Sequence, residues 1–135
     1  MDQSKQKIHS FLMFEGKAEE AINTYISIFD RSEIINITRY EANQGGPEGS
    51  VMLAKFSIKG QEFMASDSFV KHAFTFTPSI SIFVTCDTEE EVNHAFEKLS
   101  EGGEVLMPLD AYPFSPRFVW VNDKFGVSWQ LSLEL

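Results

Sequence analysis

The side chains that could do metal or proton chemistry are few and scattered. The chain has three histidines, His9, His72 and His94, and one cysteine, Cys86. No two histidines stand at the i, i+4 spacing that holds a metal on one side of a helix. His94 falls beside acids on a predicted helix and reads as solvated. His9 has the strand parity opposite to Ser10, which puts it on the helix side or at a sheet edge. His72 lies in an aromatic loop that could approach a cavity mouth. Cys86 ends an apolar strand with no neighbouring base to lower its pKa, and reads as a buried, inert thiol. The Gly45-Gly46-Pro47-Glu48-Gly49 stretch is rich in glycine, but no predicted helix follows it and Glu48 would repel a phosphate. No nucleophile–base pair is visible.

The stretch Arg117 to Leu133 is the clearest of the predicted elements. It reads as two strands joined at Asp123-Lys124-Phe125-Gly126, with Gly126 supplying the positive φ of the turn. Val127, Trp129, Leu131 and Leu133 alternate with Ser128, Gln130 and Ser132, giving one apolar and one polar face. Serines and a glutamine without Lys or Glu suit a cavity wall better than bulk solvent.

The other elements follow in order. Ile8 to Phe14 is a predicted strand, broken at Glu15-Gly16. Ala18 to Phe29 is a predicted helix with Ala21, Thr24, Tyr25 and Ile28 on one stripe and acids in its first turn. Ile34 to Tyr40 is a strand rich in β-branched residues. After the Asn43–Ser50 loop come strands Val51 to Ile58 and Gln61 to Asp67, turned at Lys59-Gly60. Residues 68–77 form an irregular aromatic loop. Ser79 to Cys86 is a strand, and a helix capped by Asp87 or Thr88 runs to about Ser100. Its stripe is Val92, Ala95, Phe96 and Leu99, and Gly102-Gly103 stops it. Val105 to Leu109 is a strand, and Asp110 to Pro116 a loop.

Composition sets limits. The chain has 135 residues, 43% of them hydrophobic, enough for one core or two small modules. Its 13 phenylalanines imply an aromatic core or pocket. A net charge of −9 argues against nucleic acid and against anionic membrane as partners. The lone cysteine fits a reducing, cytoplasmic setting. No apolar run reaches the ~20 residues of a membrane span, and the polar N-terminus does not read as a signal peptide.

The order is β-α-β-β-β twice, an α+β pattern. At a shift of 71 positions the helix stripe Ala21, Thr24, Tyr25 and Ile28 falls on Val92, Ala95, Phe96 and Leu99, and Ser10 falls on Ser81. After a small gap change Gly60 matches Gly126, Phe63 matches Trp129 and Met64 matches Gln130.

Paired βαβββ modules, here about 8–67 and 79–135, resemble the vicinal oxygen chelate superfamily: glyoxalase I, extradiol dioxygenases, and the fosfomycin-resistance and bleomycin-binding proteins. Within it the chain is similar to the PhnB-like family, on the segments Phe11-Leu12-Met13-Phe14-Glu15-Gly16-Lys17-Ala18-Glu19-Glu20-Ala21, Gly60-Gln61-Glu62-Phe63-Met64-Ala65 and Trp120 to Gln130. The resemblance implies a single glyoxalase-like domain. In it each module curls its sheet into a half-barrel with the helix outside, and a small-molecule cleft lies between the modules. It also implies a homodimer. The superfamily's metal ligands, two histidines and two glutamates, fall here on Ser10, Met64, Ser81 and Gln130. These supply no charge for a dication, so no metal and no cofactor are expected.

The expected cleft wall is Ser10, Leu12 and Phe14, then Glu62, Met64 and Ser66, then Ser81, Phe83 and Thr85, then Ser128 and Gln130. Ser10, Glu62, Met64, Ser81, Phe83 and Gln130 are the candidate ligand contacts, with Glu62 lacking a partner. Trp129 and Phe63 should face the helices. Two functions follow. One is a metal-independent binding module for a small amphipathic or aromatic molecule. The other is a glyoxalase- or dioxygenase-type enzyme with a non-standard metal site. The methyltransferase label often given to PhnB-like proteins finds no strand–glycine-loop–helix fingerprint in this chain.

Overall fold

The computed structural model describes residues 5–134. The chain divides into two units, with the boundary in sequence between Lys71 and His72. The first holds β1 (Ser10–Phe14), α1 (Ala18–Ile28), β2 (Glu33–Arg39), β3 (Val51–Ile58) and β4 (Gln61–Asp67). Its four strands lie in the order β1-β4-β3-β2. The second holds β5 (Ile82–Cys86), α2 (Glu89–Ser100), β6 (Glu104–Tyr112), β7 (Ser115–Asn122) and β8 (Ser128–Leu133), in the order β5-β8-β7-β6. The topology is the same in both: β1 pairs with β4 and β5 with β8 in parallel, and the remaining pairs are antiparallel. The doubled α+β pattern read from the sequence is the pattern that forms. Among the described residues no helix is long and apolar enough to cross a membrane.

Each helix packs on one face of its own sheet, α1 on β3, β2 and β4, and α2 on β7, β8 and β5. That face is the core. In the first unit Ala18, Ala21, Ile22 and Tyr25 of α1 are buried, along with Phe56, Phe63 and Ala65 of the sheet. In the second, Val92, Ala95 and Leu99 of α2 are buried, along with Val84, Cys86, Val119, Val121, Trp129 and Leu131. Phe63 and Trp129 therefore have the burial their parity predicts, and Cys86 is the fully buried thiol. His94 is exposed on α2.

The two helices start differently. Thr88 caps α2: its hydroxyl accepts from the Glu91 N–H at 3.1 Å, and the Glu91 carboxylate accepts from the Asp87 N–H at 2.8 Å. Lys17 gives α1 no side-chain cap. Its cap comes from across the unit, where Asp67 at the end of β4 accepts from the Ala18 N–H at 2.8 Å through one oxygen. The other oxygen accepts from the Val51 N–H at 3.1 Å, tying the start of β3 to the start of α1.

The β7–β8 turn is held by Asp123 in the same way. Its buried carboxylate accepts from the Phe125 N–H at 2.9 Å, the Val127 N–H at 3.0 Å and the Trp129 indole N–H at 3.0 Å. Gly126 takes the φ of 94° that this turn demands.

Two sequence expectations fail. The predicted Asp110–Pro116 loop is instead a continuation of strand: β6 runs to Tyr112, turns at Pro113-Phe114, and β7 begins at Ser115. Pro113 and Pro116 disguise it: Pro113 stands in the turn and Pro116 near the start of β7, while Pro108 and the irregular register of β6 are tolerated because β6 is an edge strand.

The second failure concerns β1. Ser10 pairs with Phe63, Leu12 with Ala65 and Phe14 with Asp67, so all three side chains share the helix-facing side. Phe11 and Met13 share the other side with Met64 and Ser66. The connection from β1 to α1 has three residues, Glu15-Gly16-Lys17, but that from β5 to α2 has two, Asp87-Thr88. A repeat aligned on the helices is therefore one residue out of step on the strands. A one-residue slip exchanges the two faces of a strand. The structural equivalents are Phe11 with Phe83 and His9 with Ser81.

Candidate functional site

The helix-free face of the second unit carries exposed aromatic side chains at its rim. Phe83 pairs with Gln130 and Phe118 with Ser132, which puts these four on that face together with Thr85, Trp120 and Ser128. The Phe83 and Phe118 rings lie 6.4 Å apart. Phe114, from the β6–β7 turn, sits edge-on to Phe118 at 4.8 Å, and Tyr112 does so at 5.5 Å. Phe83 is 57% exposed and Phe114 55%, although each is large and apolar. Aromatic side chains left this accessible in one cluster form a ready surface for another ring.

The polar groups beside the rings are mostly engaged with one another. The Gln130 amide donates to the Ser81 hydroxyl at 2.8 Å. The Trp120 indole N–H donates to the Ser128 hydroxyl at 2.7 Å, and the Ser132 hydroxyl donates to that of Ser115 at 2.8 Å. On the same face the Asn122 side-chain oxygen is buried with no hydrogen-bond partner, an acceptor that a small donor would satisfy. Ser81, Phe83 and Gln130 thus stand together, as their alternation predicts, with Ser81 just before β5 rather than inside it.

In the first unit Glu62 and Met64 share the helix-free face, and Ser10 does not join them. Continuing the β1–β4 register back one residue sets His9 opposite Glu62. The two side chains meet, with Nε2 of His9 at 3.0 Å from Oε1 of Glu62 and both largely buried. Of the two places its parity allowed, His9 takes the sheet edge, beside the edge strand β1 and on the helix-free side, and Glu62 does not lack a partner. The misaligned repeat hid this pair, because the correct strand parity places His9 beside Glu62 at once. Gln6 fixes the Glu62 backbone from both sides, its amide oxygen accepting from the Glu62 N–H at 3.1 Å and its amide N–H donating to the Glu62 carbonyl at 3.0 Å. In the linking loop His72 stacks on Phe74 at 4.8 Å.

The donor sets on these faces suit a divalent metal poorly. The second unit offers hydroxyls and amides at Ser81, Ser128 and Gln130, and the first offers a thioether at Met64 and the already bonded His9–Glu62 pair. Catalytic Zn²⁺ or Mn²⁺ sites use three or more imidazole or carboxylate ligands converging on one point. Among the described residues no three His, Cys, Asp or Glu side chains are so grouped.

Comparison with known proteins gives the lineage. No curated protein matches the chain. The PhnB protein of Bacillus cereus, which carries a 3-demethylubiquinone-9 3-methyltransferase description, is 60% identical over 96% of this chain and 100% of its own, with a TM-score of 0.92. Protein PA1353 of Pseudomonas aeruginosa is 25% identical over 96% of this chain and 98% of its own, with a TM-score of 0.83. The fosfomycin resistance protein FosX of Listeria monocytogenes is 13% identical over 98% of this chain and 96% of its own, with a TM-score of 0.63, a likeness of fold. The fold is glyoxalase-like. Because the family model described as 3-demethylubiquinone-9 3-methyltransferase matches residues 6–132, the chain belongs to that PhnB-like family.

Proposed function

We propose that the chain is a binding protein for a small amphipathic or aromatic molecule, held on the helix-free face of the second unit without a divalent metal. The observation that carries this reading is the pair of exposed rings Phe83 and Phe114, backed by half-buried Tyr112 and buried Phe118, beside the Gln130–Ser81 hydrogen bond. Rings supply the affinity, and a few fixed polar groups orient the ligand. Methyl transfer is not part of this reading. The glycine-rich stretch before Ser50 runs into strand β3, so it opens no helix on which a nucleotide-like cofactor could rest.

Titration with N-phenyl-1-naphthylamine, a neutral aromatic probe that fluoresces in apolar sites, tests the proposal. Saturable binding is expected, unchanged by EDTA. Phe83→Ala should weaken it by about tenfold or more through loss of a ring partner. Phe69→Ala, in the first unit, should leave it unchanged. Binding that appears only with added Mn²⁺, or that ignores Phe83→Ala, would refute the proposal and favour a metal-dependent enzyme.

A further inference from the structure

The first unit has a separate pocket of about 450 Å³, lined by Arg31, Ser32, Glu33, Ile35, Ser57, Gly60 and Glu62. That is within the range of small-ligand sites. Its lining combines both signs of charge with one aliphatic side chain. We propose that it binds a small zwitterion of the aliphatic amino-acid class, with the ammonium group between Glu33 and Glu62, the carboxylate on Arg31 and the aliphatic chain against Ile35.

The ammonium end follows from the strand register. Glu33 pairs with Ser57 and Ser57 with Glu62, so the three form one row across β2, β3 and β4. The Cα atoms of Glu33 and Glu62, on either side of Ser57, stand two strand spacings apart, about 10 Å, close enough for their side chains to lean toward one cation. A cation above Ser57 is attracted by both and can donate to its hydroxyl. Glu62 is prepared for this work. His9 bonds one of its oxygens at 3.0 Å, Gln6 fixes its backbone, and a carboxylate can accept about four hydrogen bonds.

The carboxylate end follows from Arg31. Its Nε faces Asp30 at 3.5 Å, while the side chain as a whole is 66% exposed. Lys59, hydrogen-bonded to Asp30 at 3.0 Å, holds that carboxyl below its usual range, with Arg31 contributing. Arg31 is also held at a φ of 52°, a conformation that disfavours non-glycine residues, and its carbonyl accepts from the Gly60 N–H at 2.9 Å. A guanidinium so placed is suited to a carboxylate fork. This site shares no residue with the aromatic cluster and is independent of the function proposed for it.

Calorimetric titration of the full chain with leucine, 3-methylbutylamine and 4-methylpentanoate tests the proposal. The last two are leucine without its carboxylate and leucine without its ammonium. Leucine should bind about tenfold or more tightly than either, as expected when one charged contact is lost. Arg31→Gln should reduce leucine binding to the level of the amine and leave the amine unaffected. Glu62→Gln should weaken leucine and the amine together and leave the acid unaffected. Glu33→Gln provides the same test should Glu62→Gln fail to fold. No heat with leucine at about 10 mM, equal affinity for the amine, or indifference to Arg31→Gln would overturn the proposal.

Discussion

Trp129→Ala should cost about 3–5 kcal/mol of stability in urea melts, the range for deleting a fully buried large aromatic. Trp129 is the largest of the fully buried side chains, on the face of β8 that α2 covers. Its register partners Ile82 and Val121 lose their neighbour when it is removed. The indole also donates to the Asp123 carboxylate, so truncation takes one of three donors from a buried anion. Trp129→Phe separates the two effects: it keeps most of the apolar volume and should cost about 1–2 kcal/mol. A small domain has only about 5–15 kcal/mol in total, so the alanine variant should be close to unfolding at physiological temperature. A loss below about 1 kcal/mol would mean that this face of β8 is not the core face.

Asp67→Ala should cost about 2–4 kcal/mol. The side chain is 3% exposed, and its two oxygens satisfy backbone N–H groups from two different elements, Ala18 at the start of α1 and Val51 at the start of β3. Hydrogen bonds to a charged group contribute about 1.5–3 kcal/mol each, and alanine leaves both donors buried without a partner. The negative charge at the helix N-terminus, favourable to the dipole, is lost as well. Asp67→Asn keeps an acceptor for one donor only and should fall between wild type and alanine. Hydrogen exchange localises the effect: the amides of Ala18 and Val51 should lose protection in Asp67→Ala before the middle of α1 does. Uniform loss along the whole unit, or none at these two amides, would contradict the capping role.

The sequence made the fold legible where a period or a turn residue carried the information. The stripes of α1 and α2 stand out because helical spacing is unbroken, and Gly60 and Gly126 mark their hairpins because both need positive φ. The faces of β4, β5 and β8 were readable from alternation, so Phe83, Gln130 and Ser81 could be placed together from sequence. β1 is too short to declare its own face. It borrowed one from the repeat, and the extra residue in Glu15-Gly16-Lys17 turned that inference around. Ser10, Leu12 and Phe14 therefore lie on the side opposite to the one the repeat implies, and His9 stands beside Glu62. Asp67 was hidden for a different reason. It serves Ala18 from 49 positions away, and nothing local in the sequence marks a carboxylate as the cap of a distant helix. Tyr112 and Phe114 joined the aromatic cluster only once β6 and β7 proved to be a hairpin, which the prolines had disguised as a loop.

The most direct test of the binding reading is a map of the bound aromatic molecule in solution. Intermolecular nuclear Overhauser effects should be recorded between N-phenyl-1-naphthylamine and the ring protons of the protein, in EDTA. Cross-peaks to Phe83, Phe114 and Phe118 are expected, with the Gln130 side-chain amide shifting as the probe is added. Cross-peaks confined to Tyr40 and Phe69 of the first unit, or none until Mn²⁺ replaces EDTA, would contradict it.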